Sequence, residues 1–276
     1  MNGELYIVAT PIGNLNDITI RALETLKNVD YIAAEDTRHT LKLLNYFDIS
    51  KPLISYYKEN EKTKSEVIIE KLEDGKNIAL VSDAGTPGIS DPGEEVIKKA
   101  IERNIKVIPI PGACAAINAI ICSGFSTKEF EFIGFLSAKK SEKVKKLEEL
   151  KYDLRTLIIY EAPHKLESTL NTMLEVLGDR NICIARELTK IHEEFIRGKI
   201  SEILNSVEYR GECVILVEGA KISKSEQNIE NLTKLSLDEH YKYYEEKGFS
   251  KKEIVKQIAK DRKLEKNEVY QYFLDK

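Results

Sequence analysis

The chain has 276 residues, 42% of them hydrophobic and 32% charged, with a formal net charge of -4 at pH 7; this composition excludes disordered and fibrous classes. The negative balance argues against a protein that coats nucleic acid through clustered Lys and Arg. Residues 221–276 nevertheless hold 13 basic against 11 acidic side chains, which leaves room for a local RNA-facing patch. No apolar run approaches the roughly 18 residues of a membrane span, and the opening MNGELYIVATPIG lacks the basic region and cleavage site of a secretory signal. The expectation is a cytoplasmic protein with no membrane partner.

Short β-branched runs alternate with helical stretches through residue 219, the pattern of an α/β layered fold. Strands are predicted over ELYIVAT (4–10), VDYIAAE (29–35), PLISYY (52–57), NIALVS (77–82) and KVIPI (106–110). A Pro-Gly turn at Pro111 and Gly112 then divides an N-terminal α/β lobe, residues 1–111, from a second lobe, residues 112–220. The second series runs through FEFIGF (130–135), TLIIYE (156–161), ICIARE (182–187), EEFIRGKI (193–200) and ECVILVEG (212–219). Of these only the stretch 191–200 looks like an added antiparallel strand. Residues 221–234 are polar with little periodicity and read as a linker; residues 235–276 read as a module of three short helices, with Ser250 a plausible N-cap and Ile254 and Ile258 an apolar stripe.

The four cysteines, Cys114, Cys122, Cys183 and Cys213, form no C-x-x-C pair, so each is expected to be a small buried hydrophobe. Three strand ends run into tight turns: ATPIGN (9–14), SDAGTPGISDPG (82–93) and PIPGACAA (109–116). Glycine lets a ligand approach the main chain and permits positive φ, while proline stiffens the turn. Ligands of open α/β sheets bind outside the carboxyl ends of the strands, where these turns fall. The competing reading is a set of stiff connections in which Asp83 or Asp91 caps a helix. There is no G-x-G-x-x-G, no P-loop and no H-E-x-x-H, and no metal site is expected.

SDAGTPGISDPG, with ATPIGNL (9–15), AAEDTR (33–38), PGACAAINA (111–119), YEAPHKL (160–166) and ARELTK (185–190), resembles the tetrapyrrole methylase superfamily. Within it, the resemblance is to the branch that methylates ribose in small-subunit rRNA; six collinear motifs carry it over about residues 4–220. The resemblance implies a two-lobed methylase with S-adenosylmethionine in the cleft between lobes. Carried over by position, cofactor contacts come from Pro11, Asp83, Gly85, Gly88, Ile89, Cys114 and Ala115, with Glu161, Cys183 and Cys213 on the far wall. For Cys183 and Cys213 a core role stays open. The branch implies 2'-O-methylation of a cytidine in the decoding region of 16S rRNA, with rRNA or the 30S subunit as partner and a homodimer as the assembly. A glutamate at position 161 points to this branch.

Ribose methylation needs a group that takes the hydroxyl proton. The candidates are Glu35, Asp36, Glu161 and Glu187; Asp36, with Arg38 beside it to bind a phosphate, is favoured, and Glu187 is kept as the second choice. Each also has a bland reading, for Asp36 that of a helix cap. Arg186 and Lys190 form a basic cluster that faces RNA or else a solvated salt-bridge surface. His164 is a weaker base candidate at a helix start. Residues 250–266, with seven basic and three acidic side chains, resemble a helix-turn-helix that grips rRNA, or form a helical cap. A same-fold methylase of tetrapyrroles or other small molecules and a non-catalytic assembly factor are the rival readings.

Overall fold

In the computed structural model, which describes residues 2–205 and 211–274, the apolar runs become two separate five-stranded sheets. The first comprises β1 (Glu4–Val8), β2 (Tyr31–Ala34), β3 (Leu53–Ser55), β4 (Ile78–Val81) and β5 (Lys106–Ile110), all parallel, in the order β3-β2-β4-β1-β5. The helices between them, α1 (Ile20–Asn28), α2 (Thr37–Tyr46), α3 (Glu61–Glu73) and α4 (Glu94–Glu102), cover both faces. A parallel sheet covered on both faces needs continuous apolar strands rather than alternating ones, and every residue of β4 is buried. Successive side chains point to opposite faces. Ile78 and Leu80 therefore pack with Ile68, Leu72 and Val96 on one side, and Ala79 and Val81 with Ala22, Leu26 and Leu44 on the other.

The second sheet comprises β6 (Phe130–Phe135), β7 (Thr156–Glu161), β8 (Asn181–Arg186), β9 (Glu194–Lys199) and β10 (Cys213–Val217), in the order β6-β7-β10-β8-β9. Helices α5 (Ala115–Ser123), α6 (Lys140–Leu150), α7 (Pro163–Leu177) and α8 (Ile200–Leu204) belong to this half of the chain. The strand expected to be antiparallel is so: β9 pairs antiparallel with β8. It is not alone, because β10 is antiparallel to both β7 and β8. An apolar strand buried on both faces reads the same in either direction, and CVILV is wholly buried. Buried Ala116, Ala119 and Ile120 of α5 pack against Ile158, Cys183, Val214 and Leu216.

Both sheets lie in one compact unit, Met1–Glu149 with Arg155–Glu218; Leu150–Leu154 and Gly219–Lys276 form the other. The smaller unit corrects the linker expectation. Residues Lys224–Lys234 form helix α9, started by a reciprocal cap in which Glu226 N–H donates to Ser223 Oγ and Ser223 N–H to Glu226 Oε2. Two more such caps, Ser236 with Glu239 and Ser250 with Glu253, start α10 (Leu237–Glu246) and α11 (Lys251–Arg262); α12 (Lys266–Tyr272) follows. Leu232, Tyr244, Ile254, Ile258 and Val269 form their core. Tyr244 Oη donates to Asp261 Oδ2 at 2.6 Å, and Arg262 Nε donates to Nδ1 of the fully buried His240 at 3.1 Å. Residues 1, 206–210 and 275–276, which fall within the spans expected for the two lobes and the helical module, lie outside the described residues.

Candidate active site

The three glycine- and proline-rich turns meet. Thr10 and Gly85 exchange backbone hydrogen bonds of 2.8 and 3.0 Å, joining the turn after β1 to that after β4. Thr86 Oγ1 donates to Ala113 O at 3.1 Å, tying in the turn after β5. Gly85 and Gly88 sit at φ of +82° and +81°, a region costly for residues with a Cβ, and Gly85 could not carry one without meeting Ile12 at 3.3 Å. The turns are thus bonded to one another as one main-chain platform.

This platform forms one wall of a cavity of about 360 Å³. Asp83 through Thr86 and Ile89 through Asp91, with Ile12, Glu35, Cys114 and Ala115, line that side; Phe135, Tyr160, Glu161, Glu187, Leu188, Lys190, Glu212, Cys213 and Val214, from or beside the second sheet, line the other. Among the described residues, six acidic side chains (Glu35, Asp83, Asp91, Glu161, Glu187 and Glu212) and one basic one, Lys190, belong to the lining. Burial, with Asp91 and Asp83 close by, raises Glu35 above the usual carboxylate range, and burial pushes Asp91 up to about 6. Such a pocket favours a cationic ligand.

Several of these groups are held in place. Glu161 Oε1 accepts from Ala162 N–H at 2.9 Å and its Oε2 from Thr169 Oγ1 at 2.6 Å; Thr169 Oγ1 in turn accepts from Lys143 Nζ at 2.6 Å. Tyr160 Oη accepts from Ala116 N–H at 3.1 Å, its ring edge-on to Phe132 and Phe135. Glu187 and Thr189 both have left-handed backbones, with φ of +50° and +67°, and Lys190 Nζ lies 3.0 Å from Glu187 Oε1. Non-glycine residues in that region mark turns whose surroundings enforce the strain, and these gather at functional sites.

Of the residues expected from the sequence, Asp83, Gly85, Ile89, Cys114, Ala115, Glu161, Cys213, Glu187 and Lys190 line the cavity. Pro11 and Gly88 belong to the platform without lining it. Cys183 is fully buried in the core of the second sheet. Burial pushes the Cys213 thiol up to about 12, so it offers an apolar surface and no nucleophile. Cys122 is exposed, against the expectation of burial.

The favoured proton acceptor, Asp36, is placed elsewhere. Its carboxylate caps α2 by accepting Arg38 N–H at 2.8 Å, and it also accepts from the Arg38 guanidinium at 3.1 and 2.8 Å, which holds it well below the usual carboxylate range. The helix-cap reading describes its position, and the neighbouring Glu35 lines the cavity in its stead. Asp36 contributes its backbone, donating N–H to Asp83 Oδ1 at 3.0 Å. Arg186 is paired with Glu194 at 2.5 Å, as the salt-bridge alternative has it, and His164 does not line the cavity. Sequence reasoning passed over Asp91, Tyr160, Phe135 and Glu212 as site residues. Asp91 and Tyr160 stood inside quoted motifs, but which way their side chains pointed had no local signal.

The model of the tetrapyrrole (corrin/porphyrin) methylases matches residues 4–204. The chain belongs to this family. The methylase is 50% identical over 271 residues to a protein of Bacillus subtilis (strain 168) named ribosomal RNA small subunit methyltransferase I, covering 97% of this chain and 93% of that one. It is 45% identical to the protein of the same name from Synechocystis sp., covering 99% and 98%. Among solved structures it is similar to a diphthine synthase, with a TM-score of 0.61 at 12% identity over 78% of this chain and 90% of that one. The native uroporphyrin III C-methyl transferase from Thermus thermophilus gives 0.57 at 14% identity over 78% and 97%. At such identities these structures speak for the methylase's fold alone.

Proposed function

We propose that this methylase transfers a methyl group from S-adenosylmethionine to small-subunit rRNA, and that the acceptor is the 2'-hydroxyl of a cytidine ribose in the decoding region. The observation that carries the reading is the carboxylate-lined cavity against a main-chain platform. The residues fit the cofactor: six carboxyl groups suit a sulfonium and an ammonium and would repel a polyphosphate nucleotide, while Ile12, Ile89, Leu188 and Val214 offer apolar surface to a flat base. When bound, S-adenosylmethionine supplies an electrophilic methyl group on sulfur.

The protein's own part is positioning and proton transfer. The platform at Gly85 and Ile89 presents main chain to the ligand, with Ala115 beyond it, and Asp83 is fixed by the Asp36 N–H. Glu161 is locked by Thr169 and Ala162. Glu187, facing the cavity and held by Lys190, takes the hydroxyl proton, which makes it the catalytic base, while Asp36 becomes a positioning residue. The names of relatives 41–50% identical over nearly the full chain support rRNA as the substrate class.

The seven basic side chains of residues 250–266 support a role for α11 and the start of α12 in holding rRNA. Ile117 and Ile121, exposed at 46% and 63% on α5, support a homodimer. A ribosomal substrate supports a cytoplasmic location. The test is to incubate the protein with labelled S-adenosylmethionine and undermethylated 30S subunits, naked rRNA or a tetrapyrrole precursor. Label on a ribose oxygen of rRNA is the expected result; label confined to the tetrapyrrole overturns the reading.

A further inference from the structure

A second hollow, of about 600 Å³, adjoins the first, and Lys190 lines both. Three segments build it: the turn Gly13 to Asn16 after β1, Tyr46 at the end of α2, and the strap Thr189 to His192 after β8. The turn and the strap abut because residue 13 is glycine; a Cβ there would lie 2.6 Å from Lys190 Cγ and 2.8 Å from Thr189 Oγ1.

The sign of the lining reverses across Lys190. Among the described residues, the first lining includes six acidic side chains, whereas the second includes none and adds His192 to Lys190. Tyr46 is 62% exposed, with its ring braced edge-on against Phe47 at 4.9 Å, so an aromatic face is presented rather than packed away. Thr189 Oγ1, in the same lining, is shielded from solvent and has no hydrogen-bond partner among the described residues. Buried hydroxyls are ordinarily satisfied. A basic rim, an aromatic platform and an unspent hydroxyl together suit a nucleotide, with its anionic phosphate, flat base and polar sugar.

We propose that this hollow seats the acceptor nucleotide, its base against Tyr46, its phosphate on Lys190 and His192, and its ribose at the wall shared with the first cavity. The inference rests on the rRNA-methylation reading above and adds where the unstacked nucleotide goes. Lys190 then does two things, steadying Glu187 on one side and meeting the phosphate on the other.

The test compares wild type, Tyr46→Ala, Tyr46→Phe and His192→Ala with undermethylated 30S subunits, and measures S-adenosylmethionine affinity by calorimetry in parallel. Tyr46→Ala raises KM for the subunit about tenfold or more, the loss expected of one base–aromatic stack, and Tyr46→Phe restores it. His192→Ala weakens binding of the subunit, by the loss of one hydrogen bond to phosphate. Cofactor affinity stays within about twofold in all three, since the cofactor cavity does not include these residues. An active wild type whose KM is unmoved by Tyr46→Ala and His192→Ala overturns the proposal, as does a Tyr46→Ala defect that phenylalanine leaves unrepaired. A wild type that labels no rRNA instead overturns the methylation reading, and the seat with it.

Discussion

Replacing Thr169 by valine tests how the far wall of the proposed cofactor cavity is held. The Thr169 hydroxyl accepts from Lys143 Nζ and donates to Glu161 Oε2, both at 2.6 Å, with the three residues 0%, 4% and 4% exposed, respectively. Valine keeps the shape and deletes both bonds. Hydrogen bonds to charged groups contribute about 1.5–3 kcal/mol each, so the pair is worth roughly 3–6 kcal/mol, a large part of a typical domain stability of about 5–15 kcal/mol. Thr169→Ser keeps the hydroxyl and loses a methyl, for about 1 kcal/mol. The chain has no tryptophan, so urea titration followed by circular dichroism is the assay, and the midpoint should fall with an unchanged m-value. Affinity for S-adenosylmethionine drops as well, because Glu161 keeps only its bond to Ala162 N–H. A valine variant within about 1 kcal/mol of wild type, or no worse than serine, refutes the reasoning.

With the cofactor seated as proposed, Asp91, pushed up to about 6 by burial, should make its binding pH-dependent. Its carboxylate attracts a cation only when ionised, so affinity falls as pH drops through 6, by at most about tenfold per unit; in Asp91→Asn this slope should flatten in calorimetry between pH 7.5 and 5, and an unaltered slope removes Asp91 from the site. Gly13→Ala would drive a Cβ against Lys190 and Thr189; kcat/KM should fall about a hundredfold with the melting temperature little changed, and full activity would show that the strap tolerates displacement. His240 is buried and held below its ordinary value of 6.5, mainly by burial. The unfolded chain therefore takes up a proton before the folded one does, and the α9–α12 unit loses stability as pH falls below about 6.5. Melts that do not shift between pH 7.5 and 5 would contradict this.

The alternation of apolar runs with helices identified the strands, and the platform lay in plain view as glycine and proline clustered at strand ends. What could not be read came from pairings distant in sequence. Glu212 reaches the cavity because β10, which it precedes, inserts between β7 and β8, setting Cys213 opposite Glu161 on one side and Arg186 on the other; no local pattern announces that. Glu35 and Asp36 show the limit at its finest. They are adjacent acids at one strand end, one lining the cavity and the other capping α2, and a shift of one residue reverses which way a side chain faces. Helix α9 was missed because its start rests on a serine–glutamate exchange and it buries a single side chain, Leu232.

The position of β10 also orders the protein's assembly. The first sheet is complete once residue 110 has been made, because all its strands lie upstream of that point. The second exists until residue 217 only as two ribbons, β6 with β7 and β8 with β9, whose facing edges wait for the strand between them. Open edges invite wrong partners, and on a chain emerging from the ribosome these two stay open for at least the passage from residue 186 to residue 213. The last strand to arrive also carries Cys213 and Val214 of the cavity lining, with Glu212 just ahead of it. The cavity wall is complete only when nearly four-fifths of the polypeptide is out, so a chain cut short before β10 lacks Glu212, Cys213 and Val214 of its lining.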